Sequence, residues 1–317
     1  MRTWPDEFVQ CVVTSPPYWG LRDYGVDGQL GAEATYQEYI DRICSIFDEV
    51  NRVLKADGTL WLNLGDCFST GSGFREEDQK YSTLGPKRDG LPGNSAHKTK
   101  LSREAVDELK PKNLVGIPWR VALELQSRGW YLRSDIIWSK PNPMPESVKD
   151  RPTRAHEYLF LLTKSERYHY DHEAIKEPST YGAPNSPQSI KSPQGQGFTR
   201  RADKQRGHSR RHQGFNDRWD AMTKAEQQAN GRNKRSVWTV STIPYAGAHF
   251  ATFPPKLIEP CILAGSRRGD IVLDPFMGSG TTAMVAEHLG RKWIGCELNE
   301  KYLDLQKDRL KQQALAL

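Results

Sequence analysis

Two short motifs, about 260 residues apart, constrain this chain more than any other feature. Thr14-Ser15-Pro16-Pro17-Tyr18 follows the apolar run Cys11-Val12-Val13, and Asp274-Pro275-Phe276-Met277-Gly278-Ser279-Gly280-Thr281-Thr282 follows Ile271-Val272-Leu273. Short runs rich in β-branched residues read as buried strands of a parallel sheet. Both motifs then stand where strands end, the place where open α/β sheets bind ligands. The rest of the chain repeats a strand-and-helix rhythm. Tyr36, Tyr39, Ile40, Ile43, Phe47, Val50 and Leu54 fall at helical spacing, and Asp57-Gly58 is expected to end that helix before the strand Thr59–Leu64. A second helix over about 113–128 stops at Gly129 and feeds the strand Ser134–Trp138, and Tyr158–Leu162 reads as another strand.

Composition narrows the setting. A chain of 317 residues can bury a substantial core, as one large domain with an inserted module or as two domains. Its mean hydropathy of −0.72, with no long apolar run and no signal-peptide pattern, implies a cytoplasmic protein without a membrane span. The five cysteines, Cys11, Cys44, Cys67, Cys261 and Cys296, occur singly without CxxC pairs, so they read as reduced core residues, with no metal site expected.

The glycine motif alone has several readings. Gly278-x-Gly280-x-x-Ala283 fits the dinucleotide fingerprint, with the acid Glu297 17 residues beyond Gly280, after the expected strand Trp293–Cys296. Glycines there let the backbone approach a ligand closely, and Glu297 can accept two ribose hydroxyls. That indicates a nucleoside-containing cofactor, or simply a tight strand-to-helix turn. The Pro-Pro motif separates them. Prolines remove N–H donors, so the carbonyls of Ser15 and Pro16 can face outward as acceptors. A nucleobase amino group is a planar, poorly nucleophilic donor. Accepting both of its protons, at the Ser15 hydroxyl oxygen and the Pro16 carbonyl, favours a pyramidal nitrogen able to attack a methyl group. Pro17 holds the turn, and Tyr18 offers a ring on which an extruded base can stack.

These residues resemble the β class of DNA amino-methyltransferases, which use S-adenosylmethionine. Ser15 to Tyr18 matches the family's catalytic motif (D/N/S)PP(Y/F), Asp274 to Thr282 its methionine-binding loop, and Glu297 its ribose-binding acid. His249-Phe250-Ala251-Thr252-Phe253-Pro254 looks like the segment preceding that loop, while Trp138 to Pro145 with Arg154 to Tyr158 looks like the central family stretch. Placing the catalytic motif before the cofactor loop is the circularly permuted order of that class. The resemblance implies a Rossmann-like methyltransferase fold with a mostly parallel twisted sheet. It assigns cofactor contacts to His249, Phe250, Thr252, Asp274, Phe276, Gly278, Ser279, Gly280, Thr281 and Glu297. The Ser form of the catalytic motif is commonest in relatives acting on N4 of cytosine, which favours that base, with N6 of adenine the alternative. A DNA-binding regulator that keeps the fold without catalysis, and an RNA methyltransferase, are the other readings.

Charge is concentrated in one segment. Between Lys191 and Arg235, twelve Lys or Arg face four acids, a local balance of +8 against a net +6 for the chain. A basic surface of this kind suits phosphates, with Arg200, Arg201, Arg210, Arg211, Lys234 and Arg235 the expected contacts to double-stranded DNA. The segment is also poor in apolar residues and compatible with a solvated loop. By resemblance it occupies the place of a target-recognition region. The expected organisation is therefore a catalytic half over 1–175 with a loop excursion at 68–112, an insertion over 176–240, and a cofactor half over 241–317. β-class relatives commonly have a further strand ending in Gly-Asp before a Pro-Asp-Glu such as Pro5-Asp6-Glu7, which this sequence starts too late to include. A contact near the cofactor's adenine is expected to be missing with it. Relatives often dimerise, which leaves a homodimer open here, as it does a restriction-modification partnership.

Overall fold

The strand before the first motif is central to the molecule: β1 (Val9–Thr14) is buried along its whole length and is flanked by β2 (Leu54–Leu64) and β6 (Ile271–Asp274), both parallel to it. This computed structural model describes residues 1–21, 24, 26–69, 109–178, 223, 231–242 and 253–314. They include β3 (Tyr131–Ser139), β4 (His156–Thr163), β5 (Val237–Thr239) and β7 (Lys292–Gly295), in a seven-stranded sheet of order β5-β3-β4-β2-β1-β6-β7. Among the described strands only β4 runs against its neighbours, pairing antiparallel with both β2 and β3. The sheet is therefore mostly parallel, as the motif order implied.

Helices cover both faces. α1 (Tyr36–Val53) opens with a capping box, the Thr35 hydroxyl accepting from the Glu38 N–H at 3.1 Å while Glu38 accepts from the Thr35 N–H at 3.2 Å. Its inner stripe of Tyr39, Ile43, Phe47 and Val50 is fully buried with Leu60, Leu62 and Leu64 of β2 and with Val121 and Leu125 of α2 (Ile117–Ser127). Burying each such side chain contributes about 1.5–3 kcal/mol. α3 (Pro255–Gly265) covers the opposite face: Cys11 lies 3.9 Å from the Cys261 carbonyl, and a Cβ on Gly265 would meet Thr59 and Cys11 at 2.4 and 2.8 Å. α4 (Thr281–His288) and α5 (Lys301–Ala314) follow the second motif.

Several boundaries differ from the sequence expectation, three of them at motif-bearing elements or helix ends. α1 ends at Val53, and β2 already pairs at Leu54 with Val9 before the pairing jumps to Cys11 with Thr59. Asp57-Gly58 lies within β2, in the stretch where the register shifts, instead of marking the helix stop, because burying Val53 and Leu54 takes the chain straight into the sheet. α2 starts at Ile117, behind Gly116 at φ 78° and with Pro118 in its first turn. β7 ends at Gly295, one residue short of the expected run.

Two units are distinct: residues 1–171 with 236–317, and residues 172–235. Within the second, Glu177 and Arg232 exchange two backbone hydrogen bonds of 2.8 Å, and the Glu177 carboxylate meets Arg232, Lys234 and Arg235 at 3.3, 3.9 and 3.2 Å. The expected contacts Arg200, Arg201, Arg210 and Arg211 lie outside the described residues, as does most of the 68–112 excursion. No described helix is long and apolar enough to cross a membrane, and none of the five cysteines forms a disulfide.

Candidate active site

β1 and β6 are parallel neighbours, so the two motifs leave the sheet side by side. The Thr14 hydroxyl donates to Asp274 Oδ1 at 2.6 Å, the Phe276 N–H donates to the same oxygen at 3.0 Å, and the Thr282 hydroxyl donates to Oδ2 at 2.7 Å. Asp274 is 2% exposed and has no cationic partner among the described residues. Burial pushes its carboxyl up to about 6, and the bonds from Thr14, Thr282 and Phe276 hold the rise to that level. Asp274 thus welds the end of β1 to the start of the glycine loop.

That loop is braced from α5. Gln306 Nε2 donates to the Gly278 carbonyl at 2.8 Å and Arg309 Nη1 to the Ser279 hydroxyl at 2.7 Å. Gly280, at φ 82°, begins α4 without a side-chain cap, a backbone conformation that suits glycine. On the other side, the Gly278 N–H donates to Glu297 Oε2 at 2.7 Å and the Asn299 N–H to Oε1 at 2.8 Å. Each carboxylate oxygen accepts one bond here and keeps capacity for a second. At Gly295 a Cβ would lie 1.9 Å from Met277 Cε and 3.2 Å from Met277 Cβ, so a larger residue there requires the Met277 side chain to move.

Between these parts lies a cleft of about 340 Å³, inside the range of about 300–1,000 Å³ typical of small-molecule sites. Ser15, Pro17, Asp274, Phe276, Gly278, Ser279, Thr281 and Glu297 all line it, and Phe276 rests edge-on against Phe47 of α1. Pro16 is buried beside it and Gly280 stands behind the loop. His249, Phe250 and Thr252 lie outside the described residues, although the adjacent Phe253 lines the cleft. Tyr24, Val26, Gly28, Gln29 and Leu30 form a wall that sequence reasoning missed. Buried Glu33 holds this segment, accepting from Arg42 Nη1 at 2.6 Å and from the Gly31 N–H at 2.8 Å. The glycines at 28 and 31, both at positive φ, were the available signal.

The Pro-Pro turn presents its acceptors selectively. Tyr39 donates its hydroxyl to the Pro17 carbonyl at 2.9 Å, whereas no described donor reaches the carbonyls of Ser15 or Pro16. Tyr18 turns its ring edge against Gly65, where a Cβ would meet Tyr18 Cε2 at 2.4 Å. Its hydroxyl donates to Glu157 Oε2 at 2.7 Å, with Asn63 Oδ1 at 3.1 Å, and accepts from Ser15 Oγ at 3.4 Å. Asn63 Nδ2 donates to Glu157 Oε2 at 3.2 Å and to the Tyr158 carbonyl at 3.0 Å, and Lys140 pairs with Glu157 Oε1. Burial, followed by the negative charge of Glu157, drives the Tyr18 phenol well above its ordinary range, so it stays a donor. Among the described residues no three His, Cys, Asp or Glu side chains converge as a metal site would require.

A sheet with one reversed strand, helices on both faces and a glycine loop closing a cleft at the strand ends defines a Rossmann-like methyltransferase fold. The chain belongs to the DNA methylase family, whose model matches residues 9–308. It is 46% identical over 311 residues to the Type II methyltransferase M.Cfr9I of Citrobacter freundii, covering 98% of this chain and 84% of that protein. M.SmaI of Serratia marcescens, also a Type II methyltransferase, is 43% identical over 305 residues, covering 96% and 85%. Among solved structures, the PvuII cytosine-N4-specific DNA methyltransferase superposes with a TM-score of 0.57 at 20% identity, covering 97% of this chain and 81% of its own. A Thermus thermophilus protein solved with S-adenosyl-L-methionine gives 0.54 at 23% identity, covering 98% and 89%. This chain is therefore a DNA methyltransferase of the N6/N4 family.

Proposed function

We propose that the enzyme methylates N4 of cytosine in duplex DNA, using S-adenosylmethionine and taking the target base out of the stack. The observation that carries this reading is the Ser15-Pro16 turn at the rim of the cleft, with the Ser15 hydroxyl and two carbonyls left as acceptors beside a cofactor-sized space. An exocyclic amino group has two protons to give, and the turn offers acceptors for both. Extrusion is needed because the amino nitrogen cannot be reached inside the duplex.

The residues fit the cofactor. Glu297 keeps acceptor capacity for ribose hydroxyls, and the uncapped first turn of α4, reached through Thr281, offers backbone N–H groups to a carboxylate. Phe276 and Leu30 supply apolar walls. S-adenosylmethionine, when bound, supplies a methyl group on a positively charged sulfur. The chain's part is to hold the amino group in line with that methyl and to keep water out, which accounts for much of the acceleration in such two-substrate reactions. Lys234 and Arg235, together with the basic residues between 200 and 211, are the proposed phosphate contacts, and residues 176–240 the proposed target-recognition region.

Nucleoside mass spectrometry tests the reading directly. After incubation with S-adenosylmethionine and mixed-sequence duplex DNA, the expected product is N4-methylcytosine. N6-methyladenine would overturn the base assignment, and no methylated nucleoside would overturn the cofactor and substrate reading.

A further inference from the structure

The hydrogen-bond chain behind the catalytic turn has a direction, and that direction rests on residues outside both motifs. Tyr18 has one hydroxyl proton and two acceptors within reach, Glu157 Oε2 at 2.7 Å and Asn63 Oδ1 at 3.1 Å. Bonds to a carboxylate are the stronger. With that proton committed to Glu157 or Asn63, the Tyr18 oxygen can only accept from Ser15 Oγ, 3.4 Å away. Ser15, which lines the cleft, then commits its own proton to Tyr18 and keeps its oxygen lone pairs to accept. Were Tyr18 to donate to Ser15 instead, the Ser15 hydroxyl would turn its proton toward the base amino group, donor against donor.

We infer that Glu157 is a positioning residue for methyl transfer: held by Lys140 and Asn63, it fixes the polarity of the Glu157–Tyr18–Ser15 chain so that Ser15 meets the base as an acceptor. This rests on the reading of Ser15 as an amino-group acceptor. The assembly is built for one orientation. Asn63 Nδ2 is anchored to the Tyr158 carbonyl, so its N–H groups and not its oxygen face Glu157, and the Lys140 ammonium occupies the other carboxylate oxygen. Both partners of that ion pair are largely buried, with 18% and 15% of their side-chain surface exposed. Every neighbour of the Glu157 carboxylate named here is a donor.

Replacing Glu157 with Gln turns this into a test of polarity. A Gln has one acceptor oxygen, and the charge-assisted bond to Lys140 claims it. Its NH2 then faces Tyr18 and Asn63, which reverses the chain. Glu157→Gln and Tyr18→Phe should each slow single-turnover methyl transfer roughly 10-fold to 100-fold, as expected for one misdirected buried hydrogen bond. KM for DNA and cofactor affinity should stay near the wild-type values. Combining the two should cost no more than the worse single change, because both act through one bond. The decisive variant is Lys140→Met with Glu157→Gln: without the ammonium, the Gln oxygen is free to face Tyr18, so the double variant should be faster than Glu157→Gln alone. A purely structural role predicts the reverse, a slower and less stable double variant. Tyr18→Phe at the wild-type rate, multiplying losses in the Tyr18/Glu157 pair, or a slower Lys140→Met/Glu157→Gln variant overturns the inference. Wild-type nucleoside products separate the two levels: normal wild-type methylation with any of those results sinks the polarity inference alone, while wild-type protein yielding no methylated nucleoside sinks the functional reading and the inference with it.

Discussion

Two buried carboxylates organise the two halves of the site, and they are satisfied in different ways. Asp274, at the end of β6, is held by hydroxyls and a backbone N–H, whereas Glu157, on β4, faces an ammonium as well as neutral donors. The contrast follows from the task of each region. On the cofactor side a positively charged sulfonium is proposed to arrive from outside, and a fixed ammonium there would oppose it. On the proposed base side the incoming group is neutral, so a fixed cation does not oppose it while orienting a carboxylate. The difference teaches that the glycine loop is built from backbone and hydroxyl groups held between the carboxylates of Asp274 and Glu297 and braced by Gln306 and Arg309, and the Pro-Pro turn from a directed chain.

Breaking the catalytic side should have the largest effect. Ser15→Ala combined with Tyr18→Ala removes the acceptor and the ring behind it, and methyl transfer should fall by on the order of 1,000-fold or more. Titration of S-adenosylmethionine into the same variant should give the wild-type affinity, because neither side chain belongs to the glycine loop.

The cofactor side should respond to pH. Asp274 in the folded state has a pKa raised from 3.8 to about 6, so between those values the folded protein binds a proton that the unfolded chain does not. Stability contributed by this group is present at the low end of that window and is lost as pH rises through about 6, by roughly 3 kcal/mol in total. Protonation is structurally acceptable. An Asp274 Oδ2–H can donate to Thr282, whose own hydroxyl then turns to the Val13 carbonyl at 3.2 Å. Asp274→Asn mimics that state, so chemical denaturation should show the variant gaining on wild type as pH rises from 4 to 7. Parallel stability curves for the two proteins over that window would contradict this.

A smaller effect belongs to the weld between the halves. Thr14→Val keeps the shape but removes the 2.6 Å bond to Asp274, and should lower stability at pH 7 by about 1–3 kcal/mol, read from the shift in the denaturation midpoint.

Much of this was legible in the chain itself, and the reasons are local. α1, β1, β4 and β6 announce themselves because burial on one face or both leaves a period of 3.6 or an unbroken apolar run. The glycine loop is legible because its geometry needs particular residues at particular spacings. β5 was not foreseen: three residues, Val237–Thr239, carry no period, and only the pairing with Ile137 to Ser139 makes them a strand. Nor was α3, where Pro254, Pro255 and Pro260 read as breakers although Leu257, Ile258, Cys261 and Ile262 are buried at helical spacing. Glu157 illustrates the deeper limit. It stood in a recognised stretch, yet its bond to Tyr18 spans 139 residues and depends on the reversal of β4, which no local pattern encodes.

Separability of the two halves is the central claim, and two glycines probe it. A Cβ at Gly65 would strike the Tyr18 ring at 2.4 Å, and a Cβ at Gly295 would strike Met277 in the cofactor loop at 1.9 Å. The measurement is S-adenosylmethionine affinity alongside single-turnover methyl transfer at saturating cofactor, for Gly65→Ala and Gly295→Ala. A crossed result is predicted: Gly65→Ala keeps its affinity and loses its rate, while Gly295→Ala loses affinity and recovers most of its rate once cofactor is saturating. If both variants lose affinity and rate in the same proportion, the site is one cooperative unit and the division of labour described here is wrong.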